Sequence, residues 1–517
     1  MSDELKELSY FDSKAQQEIE SNLIQVTCTR DVTDNGATGS FAQGVQDFNF
    51  SIGGNYGFNP SKSYFRIGLK LVKLNNGVES ALEPGHNITY AENVCAGLYN
   101  NAYFKAGGQD VSSITSYYTQ AAQVKARSMY SYAQLKSWKG NTGLLESNFY
   151  KRLNNHSTNG VDDEIPDARW FLNDSKTATI AIAITTGACT LVNATNYSKI
   201  EVGDTLEVDG KIYHVDVAPD DDIGTNMVVR PAPYANVNAT TNCLIVKKRV
   251  NNNEIVEGEI FVIFQPPIGI FDYNGVFGAG DFRIQLNPDQ NYRTNCVQSE
   301  TLVPAVSETD YRFNVTSLQF YAHIQKVAIP ASITYKLPLT EMHLQSKTLN
   351  TGTSQSQLDF TVPPSTKLIV VFVQKNSAGT SSEFPGTLFT TTGGEETDLR
   401  TIQLTYANKT LPSTDWDSKV VVNTLQLQQR YYDTFLNLDS LNNEGGTRTF
   451  RDWLESGPMY AFNFSRSYDD RSTHVQLRLS FGNMVADTNV FICAYYTRMV
   501  QITSTNGYIS NVTSMST

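Results

Sequence analysis

Alternation of apolar and polar residues at period two constrains this chain more than any other feature. From His474 to Phe481, Val475, Leu477, Leu479 and Phe481 alternate with His474, Gln476, Arg478 and Ser480. From Phe65 to Leu71, the apolar Phe65, Ile67, Leu69 and Leu71 share one phase, and Arg66 and Lys70 lie on the other. Successive side chains of a β-strand point to opposite faces, so these are strands with one buried face. Val475, Leu477, Leu479 and Phe481 are therefore expected to be buried, and Gln476 and Arg478 less so. Three further runs, Phe261–Phe264, Leu368–Val373 and Val490–Tyr496, are apolar on both phases and read as strands buried between layers. Many such strands separated by Gly, Asn and Pro loops imply β-sandwiches. At 517 residues the chain exceeds one ordinary domain, and roughly two to four are expected.

Helical signals are few. Ser113 reads as the N-cap of a helix running towards Lys139 and stopping at Gly140, with Ile114, Tyr117, Tyr118 and Ala121 as its apolar stripe. A second helix is expected from about Val420 to Leu438, with Leu425, Tyr432 and Leu436 on one face. Each lies in a strand-rich half, which suggests two β-domains of similar plan with a helix on the flank of each. No residue-level repeat relates the halves.

The texture changes from about Asn173 to Val250. Ile180, Ile182 and Ile184 alternate with Ala181 and Ala183. The stretch VGDTLEVDGKIYHVDV (Val202–Val217), a turn at Asp220–Gly224 and the run Met227–Pro231 follow. This stretch resembles the small barrels of the Src-homology-3 type in bacteriophage head and tail decorations. An inserted small β-barrel is expected here, entered through LNDSK and left through VNNNE. Surface loops accept such insertions because closure entropy grows only with the logarithm of length.

Residues that carry chemistry do not fall into catalytic patterns. HExxH, GxSxG and GxxxxGK[ST] are absent. Gly275–Gly280 is glycine-rich but lies between strand segments, whereas a phosphate-cradling loop needs a helix after it. The six histidines (His86, His156, His214, His323, His343 and His474) show no metal-pair spacing. Asp220–Asp222 with Asp216 lacks the spacing of a calcium loop and reads as a solvated turn; Asp162–Glu164 reads as a charged loop. Tyr117, Tyr118, Tyr130 and Tyr132 lack the basic neighbours of a base-stacking platform and read as packing residues. No catalytic, cofactor-binding or metal residue is expected, and no cofactor.

The net charge of −12 argues against nucleic-acid binding by the chain as a whole. The first thirty residues hold Lys6, Lys14 and Arg30 against six acids, so this arm would not neutralise phosphates. Met1–Glu20 lacks the apolar centre of a signal peptide, and no apolar run approaches the ~20 residues of a membrane span. Cys28, Cys95, Cys189, Cys243, Cys296 and Cys493 are scattered and read as reduced thiols, although Cys189 and Cys243 flank one segment and their pairing is left open. Sequons such as those at Asn87, Asn193, Asn314 and Asn463 read as compositional.

Four stretches, in order, carry a family resemblance. The first is Asn59–Gly77 (NPSKSYFRIGLKLVKLNNG), with the following NVCAGLYNNAYFKAGGQDVSSITSYYTQAAQVKARS. The second is Glu259–Asp289, containing FQPPIGIFDYNGVFGAGDFRIQL. The third is Phe360–Gln374 (FTVPPSTKLIVVFVQ) with Leu399–Pro412. The fourth is Met459–Ile502, including the turn Phe462-Asn463-Phe464-Ser465-Arg466. With these the chain resembles the double jelly-roll major capsid proteins of polinton-like viruses, virophages and adintoviruses, relatives of the adenovirus hexon lineage. The resemblance implies an all-β fold with flanking helices: two tandem jelly-roll β-sandwiches, the first interrupted by a small β-barrel. The expected domains are an N-terminal arm (1–44), a first jelly roll (45–297) interrupted at 173–250 by the barrel on the outer surface, a second jelly roll (305–505) and a C-terminal tail (506–517). Leu5, Leu8 and Phe11 of the arm are expected as contacts on the inner side.

The resemblance further implies a homotrimer forming a pseudo-hexameric capsomer in the icosahedral shell of a tailless double-stranded DNA virus. Its partners would be neighbouring capsomers, penton and minor capsid proteins, and its location the virion, assembled inside the infected host cell. Two other readings compete: a trimeric viral fibre or receptor-binding β-sandwich protein, and a β-sandwich carbohydrate-active enzyme. Particle shape separates the first, and a cleft with paired carboxylates of shifted pKa would support the second.

Overall fold

The computed structural model describes residues 21–35, 38–75, 77–80, 88–90, 93–129, 175–182, 188–191, 205–208, 211–217, 227–230, 237–246, 259–299, 311–326, 332–375, 399–413, 424–438, 459–465, 472–481, 484 and 487–515. In chain order the first part contributes β1 (Ser21–Thr27), β2 (Gln46–Ile52), β3 (Tyr56–Asn75), β4 (Tyr99–Ala106), β5 (Gln109–Ile114) and helix α1 (Tyr118–Met129). Six strands follow: β6 (Ser175–Ile182), β7 (Ala188–Leu191), β8 (Thr205–Val208), β9 (Lys211–Val217), β10 (Met227–Arg230) and β11 (Val237–Val246). Then come β12 (Glu259–Phe264), a 3-10 turn (Gly269–Asp272), β13 (Gly280–Pro288) and β14 (Tyr311–Lys326). The last part holds β15 (Ser332–Leu349), β16 (Gln355–Thr361), β17 (Thr366–Lys375), β18 (Leu399–Tyr406), β19 (Lys409–Leu411), helix α2 (Thr424–Leu438), β20 (Tyr460–Asn463), β21 (His474–Phe481), β22 (Thr488–Thr505) and β23 (Tyr508–Met515). Other strands of two or three residues are left unnumbered.

Leaving the inserted strands aside, the two parts have one topology. The first pairs β1-β14-β3-β12 in one sheet and β2-β13-β4-β5 in the other. The second pairs β15-β22-β17-β20 and β16-β21-β18-β19, with β23 added on β22. Counted within each part, both read first–eighth–third–sixth and second–seventh–fourth–fifth, the order of an antiparallel jelly roll. In both, the helix falls between the fifth and sixth strands. The chain is thus two jelly rolls in tandem, a duplication invisible at the residue level.

Period two explains each sandwich. In β21, Val475, Leu477, Leu479 and Phe481 are at most 4% exposed, while Gln476 is half-buried and Arg478 exposed. They meet Ile369, Val371, Ile402, Leu404 and Ile492 in a largely aliphatic core. The first roll is filled instead by rings: Phe48, Phe58, Phe65, Phe104, Phe282 and Phe320 are all buried. Phe48 meets Phe65 edge-on at 5.1 Å, and Phe104 stacks on Phe282 at 5.9 Å. Each fully buried side chain of this size contributes roughly 1.5–3 kcal/mol.

The inserted strands close into a barrel, β6-β7-β10-β9-β8-β11. Closure leaves no free sheet edge. The chain divides into two compact units, one of residues 1–78, 90–147 and 261–517, the other of 79–89 and 148–260. Register sets Cys189 opposite Ile182 and Cys243 opposite Ala178, on strands with β6 between them. Cys95, Cys296 and Cys493 are free and buried, and Cys28 is free and half-buried.

Several sequence expectations change. β1 pairs with β14 along its length, from Ser21↔Gln325 to Thr27↔Gln319, so residues 21–27 belong to the first roll and not to an arm. β14 pairs with β3, so the first roll extends past residue 297 to Lys326, and the second begins at Ser332. β23 pairs with β22, so residues 508–515 are sheet, not tail. β1 and β14 were missed because their pairing partners are distant in sequence, whereas β23 folds back on β22 in a local hairpin. Ser113 and Ile114 lie in β5; α1 starts at Tyr118, after Tyr117 at φ 56°. Met1–Glu20, including Leu5, Leu8 and Phe11, lies outside the described residues, as do residues 130–139.

Helix α2 is present but presents a different face. Tyr432 is 63% and Leu436 53% exposed; the buried positions are Arg430, Thr434 and Leu438. The inward face mixes Arg430 and Thr434 with Leu438, and Tyr431 and Phe435 pack against the core. Phe261, expected buried on both sides, is 53% exposed.

Candidate functional site

The densest polar and aromatic constellation lies where the two rolls meet, within one compact unit. In sheet β15-β22-β17-β20 the central strands are buried on both faces, along Leu368–Val373 and Val490–Tyr495. Ile369, Val371, Ile492 and Ala494 point into the core, and Phe372, Phe491 and Tyr495 point out, yet all are at most 2% exposed. The first roll covers them. Tyr117, just before α1, meets Phe491 edge-on at 5.3 Å, and Phe491 stacks on Phe372 at 5.0 Å. The Tyr117 hydroxyl hydrogen-bonds Ser346 Oγ at 2.9 Å. Gln120 Nε2 donates to Gln374 Oε1, and Ser128 Oγ pairs with the Tyr495 hydroxyl at 2.8 Å. α1 therefore lies across the outer face of the second roll's sheet.

The 3-10 turn Gly269–Asp272 makes a second contact. A Cβ at Gly269 would collide with the Thr340 carbonyl of β15, so glycine permits the approach. The Gly269 amide donates to Glu341 Oε2 at 3.3 Å, and the Ser112 hydroxyl donates to the same carboxyl. Glu341 is 1% exposed, and its Oε1 has no hydrogen-bond partner. Burial pushes its carboxyl up to about 7, opposed by these hydrogen bonds and by the charges of Arg498 and Lys125. Lys125, buried on α1, pairs with Asp272 at 2.8 Å. The C-terminal hairpin supplies a third contact: the Ile509 amide donates to the Ala279 carbonyl at 2.8 Å, and Arg498 donates to the Asp110 carbonyl.

This geometry joins the two rolls through ring contacts and hydrogen bonds. Among the described residues, the carboxyl pushed up to about 7, that of Glu341, is buried in the junction. Among the described residues no three His, Cys, Asp or Glu side chains gather to hold a metal ion. His323 and His343 are lowered by burial, and His474 is exposed, 3.3 Å from Asp359. Gly275–Gly280 runs from a bend into β13 with no helix after it. His86, His156, Asp162–Glu164, Asp220–Asp222, Tyr130 and Tyr132 lie outside the described residues, and the side chains of His214 and Asp216 are likewise not described. The sequence pointed to Tyr117 and Tyr118 as packing residues. Tyr118 is buried against Tyr99, and Tyr117 bridges to the second roll. Glu341 was missed, since a lone glutamate in a strand carries no signal of burial.

No protein-family model matches the sequence, and no curated protein matches it. The solved structures do match. One chain of the Sputnik virophage, from its cryo-electron-microscopy structure, aligns with a TM-score of 0.53 at 11% identity, covering 96% of this chain and 88% of that one. The Faustovirus major capsid protein aligns at 0.48 with 8% identity, covering 93% and 90%. The mavirus major capsid protein aligns at 0.44 with 12% identity, covering 95% and 90%. At these identities the Sputnik likeness is one of fold, and the two lower scores add nothing to the assignment. The fold is that of the double jelly-roll proteins, reached independently by strand order and by the virophage chain.

Proposed function

We propose that this chain is a major capsid protein, which self-assembles into trimeric, pseudo-hexameric capsomers of the icosahedral shell of a tailless double-stranded DNA virus. One observation carries the reading: two jelly rolls of identical strand order, fused in one chain through a buried junction. Two similar lobes per chain let three chains make a six-lobed block that tiles a shell. The fold shared with a virophage chain supports it. An acidic protein suits a wall that encloses a genome without binding it tightly. Its role is structural and not catalytic, and its partners are further copies, neighbouring capsomers, penton and minor capsid proteins. Its place is the virion, assembled in the infected cell. Among the described residues no helix is long and apolar enough to cross a membrane. The inserted barrel, carried in the connection between the fifth and sixth strands of the first roll, is read as an outer-surface element. Negative-stain imaging of the purified full chain tests the reading. Flat six-lobed particles are expected; elongated spikes would instead establish a fibre or receptor-binding protein.

A further inference from the structure

An amine and two carboxyls converge at the junction of the rolls. Lys125, on α1, is 2% exposed, and its Nζ meets Asp272 Oδ2 at 2.8 Å. Among the described residues that amine has no hydrogen-bond partner beside this ion pair. Asp272 ends the 3-10 turn that Gly269 begins. Residues three apart eclipse in such a turn, so Asp272 lies above Gly269. Glu341 packs there too. Its carboxyl accepts from the Gly269 amide, and a Cβ at Gly269 would come within 3.2 Å of its Cδ. Glu341 stands on β15 of the second roll, and it feels the charge of Lys125.

A buried ion pair is held at a cost, because both charges leave water. A proton passed from the ammonium to the carboxylate across the 2.8 Å contact removes that cost. It leaves a neutral amine against a neutral carboxylic acid. Held in contact, two such groups react at an effective concentration of about 10⁵ M or more. Glu341 supplies the remaining part, an acid beside the pair. Burial keeps its proton on up to about 7, and its Oε1 has no hydrogen-bond partner. Water has a way out. A cavity lined by Asn93, Tyr118, Lys125, Phe264 and Gln265 adjoins the amine, and the Asp272 side chain is 24% exposed.

We propose that Lys125 and Asp272 join spontaneously in an isopeptide bond, with Glu341 as the proton shuttle. The Lys125 nitrogen attacks Cγ of Asp272, and a C–N bond forms. Glu341 gives its proton to the departing oxygen and takes one from the nitrogen. The C–O bond breaks and water leaves. One ammonium and one carboxylate become one neutral amide and one water, and nothing else is consumed. The bond ties α1 to the turn after β12 and closes a loop around β6 to β11. Glu341 belongs to the second roll, so the bond forms only once the rolls have docked. It lies within one chain and needs no assembly. It follows folding, so a chain assayed before it forms still titrates at Glu341.

The intact mass of the purified full chain, measured after denaturation, tests it. The wild type should be lighter than its sequence by one water. Digestion should release a branched peptide that joins the segment of Lys125 to that of Asp272. Lys125→Met should keep the full mass of its sequence. Asp272→Asn should form the same bond with loss of ammonia, and so end at the mass of the linked wild type. Glu341→Gln should link about a hundredfold more slowly, the loss expected when a positioned acid–base group is removed. A wild type that stays at the full mass of its sequence overturns the bond. A water loss that persists in Lys125→Met places the chemistry elsewhere and overturns it too. A Glu341→Gln chain that links at the wild-type rate overturns the shuttle. The wild-type mass decides whether the bond exists without any variant, so a variant that misfolds does not blunt the test.

Discussion

The second roll's outer sheet is closed within the chain and the first roll's is open, though the two sheets have the same strand order. Phe491 and Phe261 make the contrast concrete. Both are phenylalanines on the outward phase of equivalent sheets; one is 2% exposed and the other 53%. Strand order therefore fixes the sandwich and its core, while neighbours decide which outer faces stay wet.

The largest expected effect breaks the covered side. Phe491→Ala removes a ring packed between Phe372 and Tyr117 and should cost about 3–5 kcal/mol in urea unfolding of the dissociated chain. Phe261→Ala, the equivalent change on the open side, should cost less than about 1 kcal/mol in the same assay, retaining only its contact with Arg66. Equal costs would mean the two faces are not differently covered.

The junction carboxyl gives a pH signature. Folded Glu341 holds its proton up to about 7, whereas the unfolded chain releases it near 4.5. The folded state thus binds more protons between these values, so stability falls as pH rises through that window and stays lower above it. Glu341→Gln removes the titration. Its melting temperature should exceed wild type at pH 8, by an effect of up to about 3 kcal/mol, and match it below pH 4.5. An advantage that does not shrink with acidification would contradict a buried ionisable group at the junction.

Much of this was legible in sequence, for a definite reason. Period-two patterns in Phe65–Leu71 and His474–Phe481 mark strands because one face of each is sealed by its own roll. The twice-buried runs Leu368–Val373 and Val490–Tyr496 were readable as layers within layers for the same cause. What failed was non-local. The run Ser21–Thr27 joins a sheet through a partner about three hundred residues away, and no local pattern records that. The face of α2 was misread because Tyr432 and Leu436 point outward, while the inward side holds Arg430, Thr434 and Leu438, with Tyr431 and Phe435 packed against the core. Catalytic signals were not found in the sequence, and the junction itself was unreadable because Glu341, Gly269 and Ser112 meet only after folding.

Smaller effects sharpen the contrast further. Tyr495→Phe deletes the hydrogen bond to Ser128 while keeping the ring, and should cost about 1 kcal/mol of stability in urea unfolding. Replacing residues 173–250 by a short Gly/Ser linker should leave the unfolding midpoint of the rolls nearly unchanged and assembly intact. The strands of that segment pair in their own closed barrel, β6-β7-β10-β9-β8-β11. Failure of the deleted chain to fold would place the segment in the core of the first roll.

The central claim is that two equivalent rolls per chain, one of them carrying a barrel, are continued by copies into a six-lobed block. Cryo-electron microscopy of the purified assembly tests it at a resolution that counts lobes. The account predicts a three-fold particle of six lobes with extra density on alternate ones, lost when residues 173–250 are replaced. A solitary two-lobed chain, an elongated spike, or six lobes carrying identical density would contradict it.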